Sequence, residues 1–137
     1  MKIAVAVDGS DNALRAAKHA IMLAQHLPET HLEMIYVADY NKAKDERLLA
    51  QSPESLTLKR EQKLNPVREL ARSVGVEIKV IMLKGNPSQE IVKYVKEHSI
   101  DQLIIGSRGL NTFQEMVLGS VSHKVMKHAS CPVTIVK

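Results

Sequence analysis

Short apolar runs and helical patterns alternate along this chain from end to end, and that alternation leaves few folds open. Residues 3–7, 31–37, 76–83, 102–106 and 132–136 are rich in Ile, Val, Leu and Met. The first run, Ile3-Ala4-Val5-Ala6-Val7, carries no polar residue, as expected of a strand buried on both faces. Between the runs the spacing turns helical. Ser10 is a candidate N-cap, and Leu14, Ala17, Ile21 and Ala24 form the inward stripe of a helix that stops before Pro28. Ser52-Pro53 opens a helical region running to Gly75, which can serve as its C-terminal cap. Asn86-Pro87-Ser88-Gln89 resembles a capping box, and Ile91, Val92 and Val95 follow inward. Val121, Val125, Met126 and Ala129 pattern the last helix. The order β-α-β-α-β-α-β-α-β belongs to the α/β class, an open parallel sheet with right-handed crossovers and helices on both faces.

Residues 1–137 read as a single domain, with no repeat, low-complexity tract or linker. No apolar run approaches the ~20 residues that cross a bilayer, and the chain enters a strand pattern at Lys2-Ile3 without a leader layout. One cysteine, Cys131, excludes an internal disulfide framework and fits a reducing cytoplasm. Residues 38–51 are polar and irregular, the segment expected to move most. Pro66 falls inside the second helical region, which predicts a kink or two abutting segments. The mixed charges of residues 42–72 read as a solvated helix face. No acidic residue follows Glu115, whereas Lys124, Lys127 and Lys137 remain, which suits a polyanionic ligand. Nucleic acid is disfavoured, because Tyr36, Tyr40, Tyr94 and Phe113 lie in unrelated segments and form no stacking platform.

The chemistry concentrates late in the chain. Gly106-Ser107-Arg108-Gly109 follows Leu103-Ile104-Ile105, and after nine more residues Gly119-Ser120-Val121-Ser122 opens the last helix. Strand, glycine loop and helix start hold phosphate well, since backbone N–H groups point outward unobstructed and the helix dipole adds to them. Neither a P-loop nor a G-x-G-x-x-G after the first strand is present. The plain alternative is that these glycines relieve crowding or take positive φ, while Ser120 and Ser122 cap the helix. Ligands of open α/β sheets sit beyond the carboxyl ends of the strands, where strand order reverses. Asp8 and Gly106 share such a crevice only if the first and fourth strands are neighbours. Asp8 could then hold a phosphate-bound divalent ion or accept from a ribose hydroxyl, or simply stabilise its own turn. Six histidines show no metal-ligand spacing, Cys131 has no base partner in sequence, and no catalytic constellation is visible.

From Ile3-Ala4-Val5-Ala6-Val7-Asp8-Gly9-Ser10 through Gly85-Asn86-Pro87 to Cys131-Pro132-Val133-Thr134-Ile135-Val136, the chain resembles the universal stress protein A-like family over its whole length. The Gly106-x2-Gly109-x9-Gly119-Ser120 spacing matches its ATP-binding subclass. The resemblance implies a Rossmann-like sheet of order 3-2-1-4-5 and a homodimer through the fifth strand, with Val133 and Ile135 at the contact. It implies a site for ATP (or ADP or AMP) with Mg2+ or Mn2+. Ala6, Val7 and Asp8 would lie near the nucleotide, and Val37 against adenine. Ile105, Gly106 and Gly109 would frame sugar and phosphates. Gly119, Ser120, Val121 and Ser122 would hold the phosphates. By their places after strands four and one, Arg108 could reach the terminal phosphate and Asp8 the metal. One departure stands out: Val121 separates two hydroxyls that some members carry consecutively. Two function classes follow. One is a nucleotide-occupied stress or signalling module with a protein partner; the other is a slow ATPase or nucleotide-handling hydrolase. Only Arg108 could compensate γ-phosphate charge, so binding without efficient turnover is expected.

Overall fold

The computed structural model describes residues 1–38, 53–108 and 118–137. Its strands are β1 (Lys2–Val7), β2 (His31–Ala38), β3 (Ile78–Lys84), β4 (Gln102–Gly106) and β5 (Val133–Val136). The helices are α1 (Asp11–His26), α2 (Pro53–Ser73), α3 (Pro87–Glu97) and α4 (Ser120–His128). All strand pairs are parallel, in the order β3-β2-β1-β4-β5. The expected architecture and strand order are therefore present.

Alternation along β1 divides the core in two. Ile3, Val5 and Val7 join Leu32, Met34, Tyr36 and Ile104 against the inward stripes of α1 and α2. Ala4 and Ala6 join Ile35, Leu103 and Ile105 against Ile91, Tyr94 and Val95 of α3 and Val125 of α4. Burial on both faces demands an apolar run, because successive side chains point to opposite sides. The edge strands show the converse: every residue of β5 is only partly buried.

Local chemistry sets the helix ends. Ser10 caps α1, its Oγ accepting the Ala13 N–H at 3.1 Å. Asn86 caps α3, its Oδ1 accepting from Gln89 N–H at 3.2 Å, with Pro87 in the first turn. At the end of α2, Gly75 takes φ +73°. Its N–H donates to Arg72 O at 3.2 Å, and the Val76 N–H reaches back to Ala71 O at 2.9 Å. This is a Schellman closure, which needs the left-handed residue that glycine supplies. It also explains why β3 starts at Ile78 rather than at residue 76: Val76 is spent on the helix cap.

α2 runs through Pro66 as one helix, which excludes two abutting segments, one of the two expected outcomes. The ring is exposed, while Leu64 and Val67 on either side are buried and hold the helix to the sheet. That packing outweighs the one lost hydrogen bond. The polar segment expected to be irregular lies outside the described residues from position 39 onward, whereas Ala38 is buried and ends β2. Among the described residues no helix is long and apolar enough to cross a membrane.

Candidate functional site

Strand order reverses between β1 and β4, and the two are direct neighbours, with Ala6 opposite Ile105. Asp8, just past β1, and Gly106, the last residue of β4, therefore stand side by side at the carboxyl edge of the sheet. This is the crevice the sequence argument required.

On the α1 side, the Asp8–Ser10 turn is built from its own groups. Asp8 Oδ1 accepts the Ser10 N–H at 2.9 Å, so the carboxylate does stabilise its turn. Gly9 sits at φ +89°, and a Cβ there would lie 3.0 Å from Cδ of Lys63. The aliphatic stem of Lys63 thus lies flat on the β1–α1 turn. The sequence placed Lys63 on a solvated face; the only hint of its position was the missing side chain at residue 9.

Gly106 answers a different need. A Cβ on it would come within 2.9 Å of the Asn12 carbonyl carbon and 3.0 Å of its oxygen. The first turn of α1 presses directly on the end of β4, and only glycine fits, so crowding is at least one reason for this residue. Gly109 lies outside the described residues.

The far wall is the start of α4. Gly119 is its N-cap, and the cap receives no side-chain hydrogen bond. Ser120 and Ser122 therefore do not cap it, contrary to the plain reading of the sequence. Ser122 points inward instead: its Oγ donates to Gly106 O at 2.6 Å, and the residue is 4% exposed. The Gly119 N–H donates to Ser107 O at 2.8 Å, and the Ser107 N–H donates to Val136 O at 2.7 Å. These bonds bring residues 106–107 and 119–122 together across the intervening residues 108–118. Ser120 is exposed, Val121 half-buried, and the first turn holds no acid, while Lys127 and His128 occupy the last. No acid within this first turn offsets the positive end of the helix dipole.

The apolar floor is also assembled. Ala6, Ile105 and Val37 lie on the same side of β1, β4 and β2, in the cluster covered by α3 and α4. Val7 does not join them; its side chain belongs to the opposite cluster, so only its backbone borders the crevice. Arg108 is half-buried directly after Ser107.

Two titratable groups away from the crevice are shifted by their surroundings. Burial raises the Cys131 thiol pKa, which keeps it protonated and a poor nucleophile. Tyr94 donates to buried Glu33 at 2.5 Å. Burial first, and then that bond, holds its hydroxyl well above the ordinary tyrosine range. No group of three or more His, Cys, Asp or Glu side chains could hold a metal among the described residues. Any divalent ion here would need ligand oxygens of its own, as a phosphate-borne ion has.

Comparison with known proteins agrees with this geometry. The Universal stress protein family model matches residues 1–137. Universal stress protein MJ0531 of Methanocaldococcus jannaschii is 35% identical over 139 residues, covering 99% of this chain and 81% of that protein. Universal stress protein YxiE of Bacillus subtilis is 34% identical over 146 residues, covering 99% and 98%. The structure of MJ0577, also from M. jannaschii, superposes with a TM-score of 0.84 at 31% identity, covering 99% of this chain and 94% of that one. Universal stress protein UspA from Lactobacillus plantarum gives 0.79 at 28%, covering 100% and 97%. With the family model spanning every residue and the sheet order in place, the chain belongs to the universal stress protein family.

Proposed function

We propose that this chain is a single-domain adenine-nucleotide-binding module that works by being occupied rather than by turning its ligand over. The observation that carries this reading is the junction of β4 and α4. Residues 106–107 and 119–122 are hydrogen-bonded to one another at the reversal of strand order, with an acid-free helix start beside them. Phosphates would sit on the backbone N–H groups of Ser120 and Val121, with Ser120 Oγ as a side-chain donor and Gly109 giving close approach. The base would lie on the floor made by Ala6, Ile105 and Val37. Asp8 would meet a Mg2+ or Mn2+ ion carried by the phosphates, and Arg108 the outer phosphate. ATP is the ligand to test first, with ADP and AMP sharing most contacts.

The setting is the reducing cytoplasm, where Cys131 stays a thiol, and the working form is a homodimer paired through β5. A protein partner would read the nucleotide-occupied dimer in a stress or signalling response. Two measurements test the reading. Purified protein is denatured and any released nucleotide identified, and nucleotide-free protein is titrated with ATP in a calorimeter, with and without Mg2+. A saturable heat of one site per chain is expected. No heat with ATP, ADP or AMP, together with no released nucleotide, overturns the assignment.

A further inference from the structure

The inward stripe of α2 carries a cation at its upper end. Leu64, Val67 and Ala71 are buried in the core that α2 shares with α1 and the sheet. Positions four apart share a helix face, so the stripe continues one turn earlier at residue 60, and there the residue is Arg60. It is half-buried, and its Nε is buried with no hydrogen-bond partner among the described residues. A buried N–H left unbonded costs free energy, so such an atom marks a place that calls for an acceptor.

Lys63 shows where along the sheet this happens. α2 joins the parallel neighbours β2 and β3, and so runs from the carboxyl edge of the sheet back to the amino edge. Cβ, Cγ and Cδ of Lys63 lie 3.3, 3.1 and 3.0 Å from the place a Cβ on Gly9 would take. The stem crosses the β1–α1 turn one residue past Asp8, and the ammonium follows two bonds beyond Cδ. Arg60 stands three residues nearer the helix start, about 4.5 Å along the axis. It therefore lies on the carboxyl side of that turn, beyond the end of β1. Glu61, the acid between the two cations in sequence, is paired with Arg68 on a later turn of the same helix.

We propose that Arg60 and Lys63 form a further wall of the crevice, which holds the outer phosphates of a nucleoside triphosphate and makes the site prefer ATP to AMP. The proposal rests on the nucleotide reading above. With the inner phosphates on the first turn of α4 and the phosphate-borne cation at Asp8, the tail runs toward the β1–α1 turn, and α2 meets it there. The Lys63 ammonium is a compact charge that suits a phosphate oxygen, and a second such oxygen gives Arg60 Nε its acceptor. Two cations with no group to orient water hold the tail and leave it intact.

The test uses the full chain with Lys63→Met, which keeps the stem over Gly9 and removes the charge, and Arg60→Met, which keeps an unbranched side chain on the stripe. Each is titrated in a calorimeter with ATP and separately with AMP, in Mg2+, beside the unchanged protein. Circular dichroism and the urea midpoint without ligand follow the fold. The unchanged chain should bind ATP more tightly than AMP. Each variant should weaken ATP about ten-fold, the size of a hydrogen bond to a charged group, and hold AMP within about two-fold. If Arg60→Met does not fold, Arg60→Gln replaces it. Equal losses for ATP and AMP mean that the two side chains only support the turn, and overturn the proposal. Unchanged ATP affinity in both folded variants, or an unchanged chain that binds AMP as tightly as ATP, overturns it and leaves the nucleotide reading intact. No heat with either nucleotide in the unchanged chain removes the nucleotide reading, and the proposal with it.

Discussion

Gly106 and Gly109 share a motif, and substitution tests whether they share a job. Gly106→Ala places a methyl 2.9 Å from the Asn12 backbone, which cannot step aside as a flexible side chain would. It should destabilise the fold by about 1–3 kcal/mol, as overpacking does, and chemical denaturation reads this directly. Gly109→Val should leave the fold in place and abolish ATP binding, because a branched side chain there fills phosphate space. Calorimetry with circular dichroism on the same sample decides; a folded mutant with unchanged affinity removes Gly109 from the site. Asp8 carries a visible role and a proposed one. Asp8→Ala loses the bond to Ser10 N–H, a cost of about 1 kcal/mol. If the carboxylate also meets a phosphate-borne cation, ATP affinity should drop mainly when Mg2+ or Mn2+ is present. An equal drop with and without metal confines Asp8 to its turn or to the sugar.

At the scale of elements, β5 invites a partner. It is an apolar edge strand, partly buried along its length, with the N–H groups of Val133 and Ile135 facing outward, and unprotected edges of this kind pair with other chains. The side chains of Val133 and Ile135 pack toward α3 and α4, so a charge there disturbs the core as well as a partner. The sharper variant is Ile135→Pro, which removes one outward donor and no bond to β4, as an edge strand tolerates. It should give monomers by light scattering; a dimer of unchanged mass places the interface elsewhere. The α3–β2 contact carries a second expectation. Tyr94 donates to Glu33 inside the core and holds its proton above the usual tyrosine range. In the unfolded chain tyrosine ionises near pH 10. Above that value the unfolded state sheds a proton that the native state retains. The contribution is therefore complete below about pH 10 and lost as pH rises further. Urea denaturation between pH 8 and 11 should show this decline, and Tyr94→Phe should flatten it.

For the whole molecule, ligand binding should appear as stability. A ligand that binds only the folded state adds about 2.7 kcal/mol at a hundred times its dissociation constant, so the thermal midpoint should climb with ATP concentration. Turnover should be negligible, because phosphoryl transfer needs a placed nucleophile and charge compensation, and only Arg108 is near enough in sequence to supply the latter. Following inorganic phosphate over hours tests this. Turnover near the ordinary enzyme value of about ten per second, lost in Arg108→Ala with ATP affinity retained, would make the protein an enzyme.

The alternation of apolar runs and helical stripes was enough to specify the α/β class, the element order and the two caps at Ser10 and Asn86, because periodicity and capping are local properties. The glycine loop ahead of the last helix was legible in the residues themselves; the strand order came from resemblance, and the observed sheet has that order. Three features were decided only by tertiary packing. Pro66 stays inside one helix because Leu64 and Val67 anchor it to the sheet. Lys63 is half-buried, its stem laid over Gly9. Ser122 turns away from the helix start because the Gly106 carbonyl, sixteen residues earlier, lies buried within its reach at 2.6 Å. Each depends on what a distant segment places opposite the residue, and no local pattern in the sequence encodes that.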